Sequence, residues 1–127
     1  MDRTRLATYI IFGICAILAG YIYSATKPPP DGTYDAFAQC IGHTSTTFYG
    51  AWWCPHCEAQ KNEFGGAAKY LPYVECANPD SSEKQSCVDI GITSYPTWYF
   101  PDGTSSTGVN SLANIAKHTG CALPTSA

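Results

Sequence analysis

The sequence predicts an α/β sandwich with a mixed central sheet, preceded by one N-terminal transmembrane helix. Three observations carry this. Leu6 to Tyr23 is an eighteen-residue stretch without a charge, standing behind Arg3 and Arg5. Beyond it, helix-forming and strand-forming runs follow in the order helix, strand, helix, strand, short helix, hairpin, helix. Between the first strand and its following helix stands Trp52-Trp53-Cys54-Pro55-His56-Cys57, with two cysteines separated by two residues.

The size fits one domain of roughly 100 residues with an appendage. Net charge is −3 and only 13% of residues are charged, which argues against a nucleic-acid partner. Nine Tyr, five Phe and three Trp are enough to fill a small core. Seven cysteines in 127 residues point to metal in a reducing compartment, or to disulfides and a redox pair in an oxidising one.

Residues 1–23 read as a membrane anchor. The apolar run is near the lower length limit for a span, and Tyr21 and Tyr23 suit the interface. A cleaved signal peptide is the competing reading, but Tyr23 is too large for the small-residue site that would pair with Ala25. Arg3 and Arg5 against a single Lys27 place the N-terminus in the cytoplasm and the rest outside. Cys15 reads as an inert apolar residue of the span. Residues 24–32, SATKPPPDG, form a Pro-rich spacer that holds residues 33–127 off the membrane.

The domain opens with a short helix over Thr33–Gly42. Tyr34, Phe37 and Ile41 share a face, Thr33 is a candidate cap and Gly42 a candidate stop. Thr46–Ala51 is a buried strand. The next helix runs from Cys54 to Phe64, is broken or kinked at Gly65-Gly66, and resumes to Leu71. Tyr73–Cys76 is a second strand, and Asn78-Pro79-Asp80 breaks the chain after it. Cys87–Ile90 forms a short helix closed by Gly91. Thr97–Phe100 and Ser105–Val109 make a hairpin around Pro101-Asp102-Gly103. Ser111 caps a last helix whose inner face carries Leu112, Ile115 and Ala116, and Gly120 ends it.

The dithiol has a physical logic. Cys54 falls at a helix N-terminus, where free N–H groups and the helix dipole favour an anion. Pro55 fits the first turn, where its missing N–H is not needed. The thiolate of Cys54 is then expected below the ordinary thiol value of about 8.5. Cys57, one turn on, would be the resolving thiol.

The ordered set FYGAWWCPHC, YVEC, Cys87, GITSYPTWYFPDG and TGVNSL resembles the thioredoxin fold over about Thr33 to Cys121. Within that superfamily it is most similar to the domain fused to, or partnered with, bacterial vitamin K epoxide reductase homologues. The resemblance implies that Cys54 attacks, Cys57 resolves, and Pro96 is the cis-proline facing the dithiol. Backbone groups of Tyr95 would then pair with an extended substrate. Trp53 is a candidate for the apolar rim. His56, between Pro55 and Cys57, resembles the motif of periplasmic thiol oxidases. An imidazole near the Cys54 sulfur would stabilise thiolate over disulfide and make the disulfide a stronger oxidant.

The same resemblance implies a thiol–disulfide oxidoreductase of the inner membrane, with its domain outside the cytoplasm. It would oxidise cysteine pairs in exported proteins. A quinone-linked, vitamin K epoxide reductase-like membrane protein would reoxidise it, and no cofactor beyond the redox disulfide would be needed. A reductase or isomerase, or a non-catalytic binding module, are the alternatives. There is one departure: no acid lies on the strand before the dithiol, where many relatives keep a proton carrier. Glu58, Glu63 and Glu75 are candidates for that role by sequence proximity only.

Cys76 and Cys87 flank a polar loop and are expected to form a structural disulfide, adding roughly 3 kcal/mol in the chain-entropy model. A second, relaying redox pair is the alternative. A zinc site of Cys54, Cys57, Cys76 and Cys87 is disfavoured by the eleven-residue spacing of the second pair. Cys40 and Cys121, each at a helix end, are expected to bridge, against free thiols or an intermolecular link. No metal is expected. His43 and His118 read as ordinary exposed residues, and Trp98 as core.

Overall fold

The computed structural model describes residues 2–25 and 30–125. Lys27 and the centre of the Pro-rich spacer lie outside the described residues.

Helix α1, Arg3–Ala25, takes in the whole uncharged run. Its side chains from Arg3 to Ser24 are exposed, and the helix is long and apolar enough to cross a membrane once, features that a signal sequence shares.

In the domain, α2 (Asp35–His43) buries Phe37, Ala38 and Ile41. Thr33 does not cap it, because its hydroxyl bonds back to the Pro30 carbonyl. Nor does Gly42 end it, since the helix continues to His43. The glycine serves packing instead: a β-carbon at Gly42 would stand 2.9 Å from the Tyr70 carbonyl oxygen. Strand β1 (Thr47–Gly50) leads through a tight turn into α3 (Pro55–Phe64). The expected helical continuation beyond Gly65-Gly66 is a 3₁₀ helix, Gly65–Tyr70, that includes both glycines. Gly65 at φ 56° takes the bend that a side chain resists.

Strand β2 (Tyr73–Glu75), α4 (Gln85–Asp89), the hairpin of β3 (Thr97–Tyr99) and β4 (Ser105–Thr107), and α5 (Leu112–Thr119) complete the domain. Ser111 caps α5 by accepting from the Asn114 N–H, and Gly120 closes it in a left-handed conformation. The sheet order is β2-β1-β3-β4. Strand β1 is parallel to β2 and antiparallel to β3, so the sheet is mixed.

Strand alternation sets the two faces. Phe48 and Trp98 are cross-strand partners, stacked at 4.5 Å, and join Phe37, Phe64 and Ile115 in the main core. Tyr49 and Tyr99 point the other way, toward Cys76, Cys87 and Ile92. Sequence periodicity does not show how α3 is locked to β3. Gln60 is fully buried, accepts from the Trp98 indole and the Asn110 N–H, and donates to the Asn110 carbonyl.

His118 is not the ordinary exposed residue expected. Its ring stacks on Phe100, and its Nδ1 lies 2.7 Å from Asp102 Oδ2 and 3.1 Å from Thr104 Oγ1. The Asp102 carboxyl is held down at about 2, by hydrogen bonds from Thr104 first and then His118. His43 is exposed.

Candidate active site

Parallel pairing of β1 with β2 sends the chain out of the sheet at Gly50, and Ala51 to Cys54 turn it into α3. Cys54 is the N-cap, with extended backbone, and Pro55 opens the helix. The Cys54 carbonyl already accepts from the N–H groups of Cys57 and Glu58, so the two cysteines lie one turn apart on the helix. Cys54 keeps 5% of its surface exposed and Cys57 none. Both are thiols here, and Cys54 Sγ donates to the Tyr95 carbonyl at 3.7 Å.

Cys57 is pushed up to about 12. Burial is the main cause and the Cys54 thiol adds to it, while a backbone hydrogen bond at Ala51 and the Lys61 charge work against it. Cys57 therefore stays a neutral thiol near pH 7.

Tyr95 precedes buried Pro96 through a cis peptide bond. Its ring meets Trp53 edge-on at 6.0 Å, and its hydroxyl donates to Glu83. Burial, then the Glu83 carboxylate, raise its phenol. Trp52 and Trp53 are about half exposed beside Cys54. The Trp52 N–H donates to Glu75 and its indole to the Asn78 carbonyl. His56 is exposed in the first turn of α3. The fold thus gathers Cys54, Pro55, His56, Cys57, Trp53, Tyr95 and Pro96 at one edge.

The other four cysteines of the domain form two bridges, Cys40–Cys121 and Cys76–Cys87, leaving Cys54 and Cys57 as a pair of their own.

Sequence proximity leaves Glu58, Glu63 and Glu75 equivalent, but the structure separates them. Glu75 Oε2 accepts from the Tyr73 hydroxyl at 2.9 Å, and its Oε1 takes the N–H groups of Trp52 and Ala77. Glu58 instead pairs with Lys61 at 3.0 Å. Nothing in the sequence marks Tyr73. Only the register that sets Phe48 against Tyr73 and Gly50 against Glu75 brings it beside the dithiol.

Strand order, hairpin and a dithiol at the start of α3 give the architecture of a thioredoxin-like sandwich. No family model matches the chain. It is 42% identical over 94 residues to the thiol-disulfide oxidoreductase LTO1 of Arabidopsis thaliana, a match covering 69% of this chain. It spans only 24% of the length of that relative. Among solved structures it is similar to the Malassezia sympodialis thioredoxin Mala s 13, at 24% identity and a TM-score of 0.38, covering 68% of this chain and 85% of that one.

Proposed function

We propose that this chain is a membrane-anchored thiol–disulfide oxidoreductase that oxidises cysteine pairs in exported proteins. One observation carries the reading: two free thiols, Cys54 at the N-cap of α3 with a little of its surface exposed and Cys57 fully buried, stand one helical turn apart. In the disulfide form, a substrate thiolate attacks Cys54 Sγ. The Cys54–Cys57 bond breaks, and Cys57 leaves with the electron pair and takes a proton. The substrate's second thiolate then attacks its own mixed-disulfide sulfur and releases Cys54. The substrate gains a disulfide and the enzyme holds two more electrons.

Pro55 starts the helix that presents Cys54. His56, exposed beside it, tunes its sulfur. Trp53, Tyr95 and Pro96 receive the substrate chain, and the Tyr95 carbonyl already faces Cys54 Sγ. The bridges Cys40–Cys121 and Cys76–Cys87 are structural, and two such bridges suit an oxidising compartment. Residues 1–23 anchor the protein in the inner membrane with the N-terminus cytoplasmic, 24–32 space it, and 33–127 work on the outer side. The redox disulfide needs no added cofactor. Electrons pass to a quinone-linked, vitamin K epoxide reductase-like membrane protein, and sharing one membrane raises the effective concentration of the two partners.

Equilibrating the full chain with thiol buffers tests the direction. The oxidase reading expects a potential well above the thioredoxin value of about −270 mV, and a value near that one overturns it.

A further inference from the structure

The Cys57 sulfur has no surface of its own, yet it must gain or lose a proton each time the disulfide opens or closes. Several groups face it or its neighbours. From α3 come Cys54, Lys61 and Glu58, from β2 come Tyr73 and Glu75, and before β3 stands Tyr95. Cys54 is the reaction partner. Lys61 is a cation paired with Glu58 and placed 4.3 Å above the Tyr73 ring, so it has no site to accept a proton. The Tyr95 hydroxyl is turned to Glu83.

Tyr73 remains, and Gly50 shows why it reaches. A β-carbon at Gly50 would stand 3.0 Å from Cys57 Sγ, 3.1 Å from Tyr73 Oη and 2.6 Å from its ring carbon Cε2. Sulfur and phenol oxygen therefore flank the same bare stretch of backbone. The phenol donates at 2.9 Å to Glu75 Oε2, and Glu75 is only partly buried. The buried thiol thus stands beside a phenol that is hydrogen-bonded to a carboxylate, and both phenol and carboxylate are partly exposed.

We propose that Tyr73 and Glu75 carry the proton of Cys57 between the buried sulfur and solvent. This rests on the oxidoreductase reading above. When Cys57 leaves Cys54, its sulfur takes the Tyr73 proton, and a proton from water, taken up by the Glu75 carboxylate, is passed on to the Tyr73 oxygen. On reoxidation the steps reverse. The Cys57 proton passes to Tyr73 Oη as the Tyr73 proton passes to Glu75 Oε2. The Cys57 thiolate then attacks Cys54 Sγ in its mixed disulfide with the partner, and the partner sulfur leaves with the electron pair. Only protons travel this line, and both electrons stay with sulfur. Tyr73 acts on the thiol and Glu75 acts through Tyr73.

The test uses the full chain with Tyr73→Phe and Glu75→Gln. Disulfide opening by a peptide carrying a cysteine pair is followed by tryptophan fluorescence in H₂O and D₂O. Alkylation of Cys54 in the reduced chain is measured alongside. Both variants are expected to slow opening about ten- to a hundredfold. They should alter the solvent isotope effect and leave Cys54 alkylation unchanged. Tyr73→Phe keeps the ring against Phe48, so it decides the matter alone if Glu75→Gln disturbs the Trp52 and Ala77 amides. Wild-type rates and isotope effects in Tyr73→Phe overturn the proton route. A wild-type chain that does not react with the peptide at all overturns the oxidoreductase reading instead.

Discussion

Two cysteine pairs lie close together in this fold. Cys54 and Cys57 sit at the start of α3, while Cys76 and Cys87 tie the end of β2 to α4. Depth does not separate them, since their exposures are 5% and 0% against 0% and 1%. Their surroundings do. Cys54 caps a helix, faces a carbonyl and has two half-exposed indoles beside it. The Cys76–Cys87 bridge is packed with Ile92 against the rings of Tyr49, Tyr95 and Tyr99. What distinguishes the two pairs is not depth but the helix start, the carbonyl and the indoles around Cys54.

The largest expected effect comes from opening the first pair. Cys57→Ala should cut turnover of a dithiol substrate by more than about a thousandfold, because no Cys54–Cys57 disulfide can form to be attacked, and a mixed disulfide made on Cys54 has no Cys57 thiol to reverse it. Mass spectrometry of the trapped adducts checks this, and should find exported cysteine-bearing proteins. Removing the second pair should act on stability instead. Cys76→Ala with Cys87→Ala is expected to cost about 2–4 kcal/mol in urea unfolding and to leave Cys54 alkylation in the folded chain unchanged. If turnover falls while stability holds, the second pair is a relay and the contrast fails.

Gln60→Leu probes the scaffold that the pairs share. It strands the Trp98 indole and both backbone groups of Asn110, and should cost about 2–3 kcal/mol by the same measurement. The smallest effect is expected at Asp102, whose partners are Thr104 and His118. Its carboxyl is depressed in the folded state to about 2. The stability it lends is therefore present above its unfolded value near 4 and is lost as pH falls toward 2. Asp102→Asn should flatten the acid limb of a urea-midpoint titration slightly and leave dithiol chemistry alone.

Element order was legible because the punctuation is local. Ser111 and Gly120 bracket α5, Pro55 opens α3, and Pro101-Asp102-Gly103 turns the hairpin. Gly65-Gly66 was legible as the break, since α3 ends at Phe64 and Gly65 caps it. Gly42 misled, because a glycine that admits a neighbouring backbone looks the same in sequence as one that stops a helix. The dithiol was legible as a motif. Its neighbour Tyr73 was not, and Glu75 was one of three equivalent acids, because both arrive through a parallel pairing that only the folded sheet fixes. Gln60 was hidden for the same reason: its partners are Trp98 and Asn110, and the latter is fifty residues away.

The Cys40–Cys121 bridge has a mechanical side. It joins positions 81 residues apart, and every strand lies between them. A pull applied between the N-terminal helix and the chain beyond Cys121 runs through one covalent crosslink and never loads the sheet. At about 3.4 Å per residue, the bridge withholds on the order of 280 Å of slack from any such stretch.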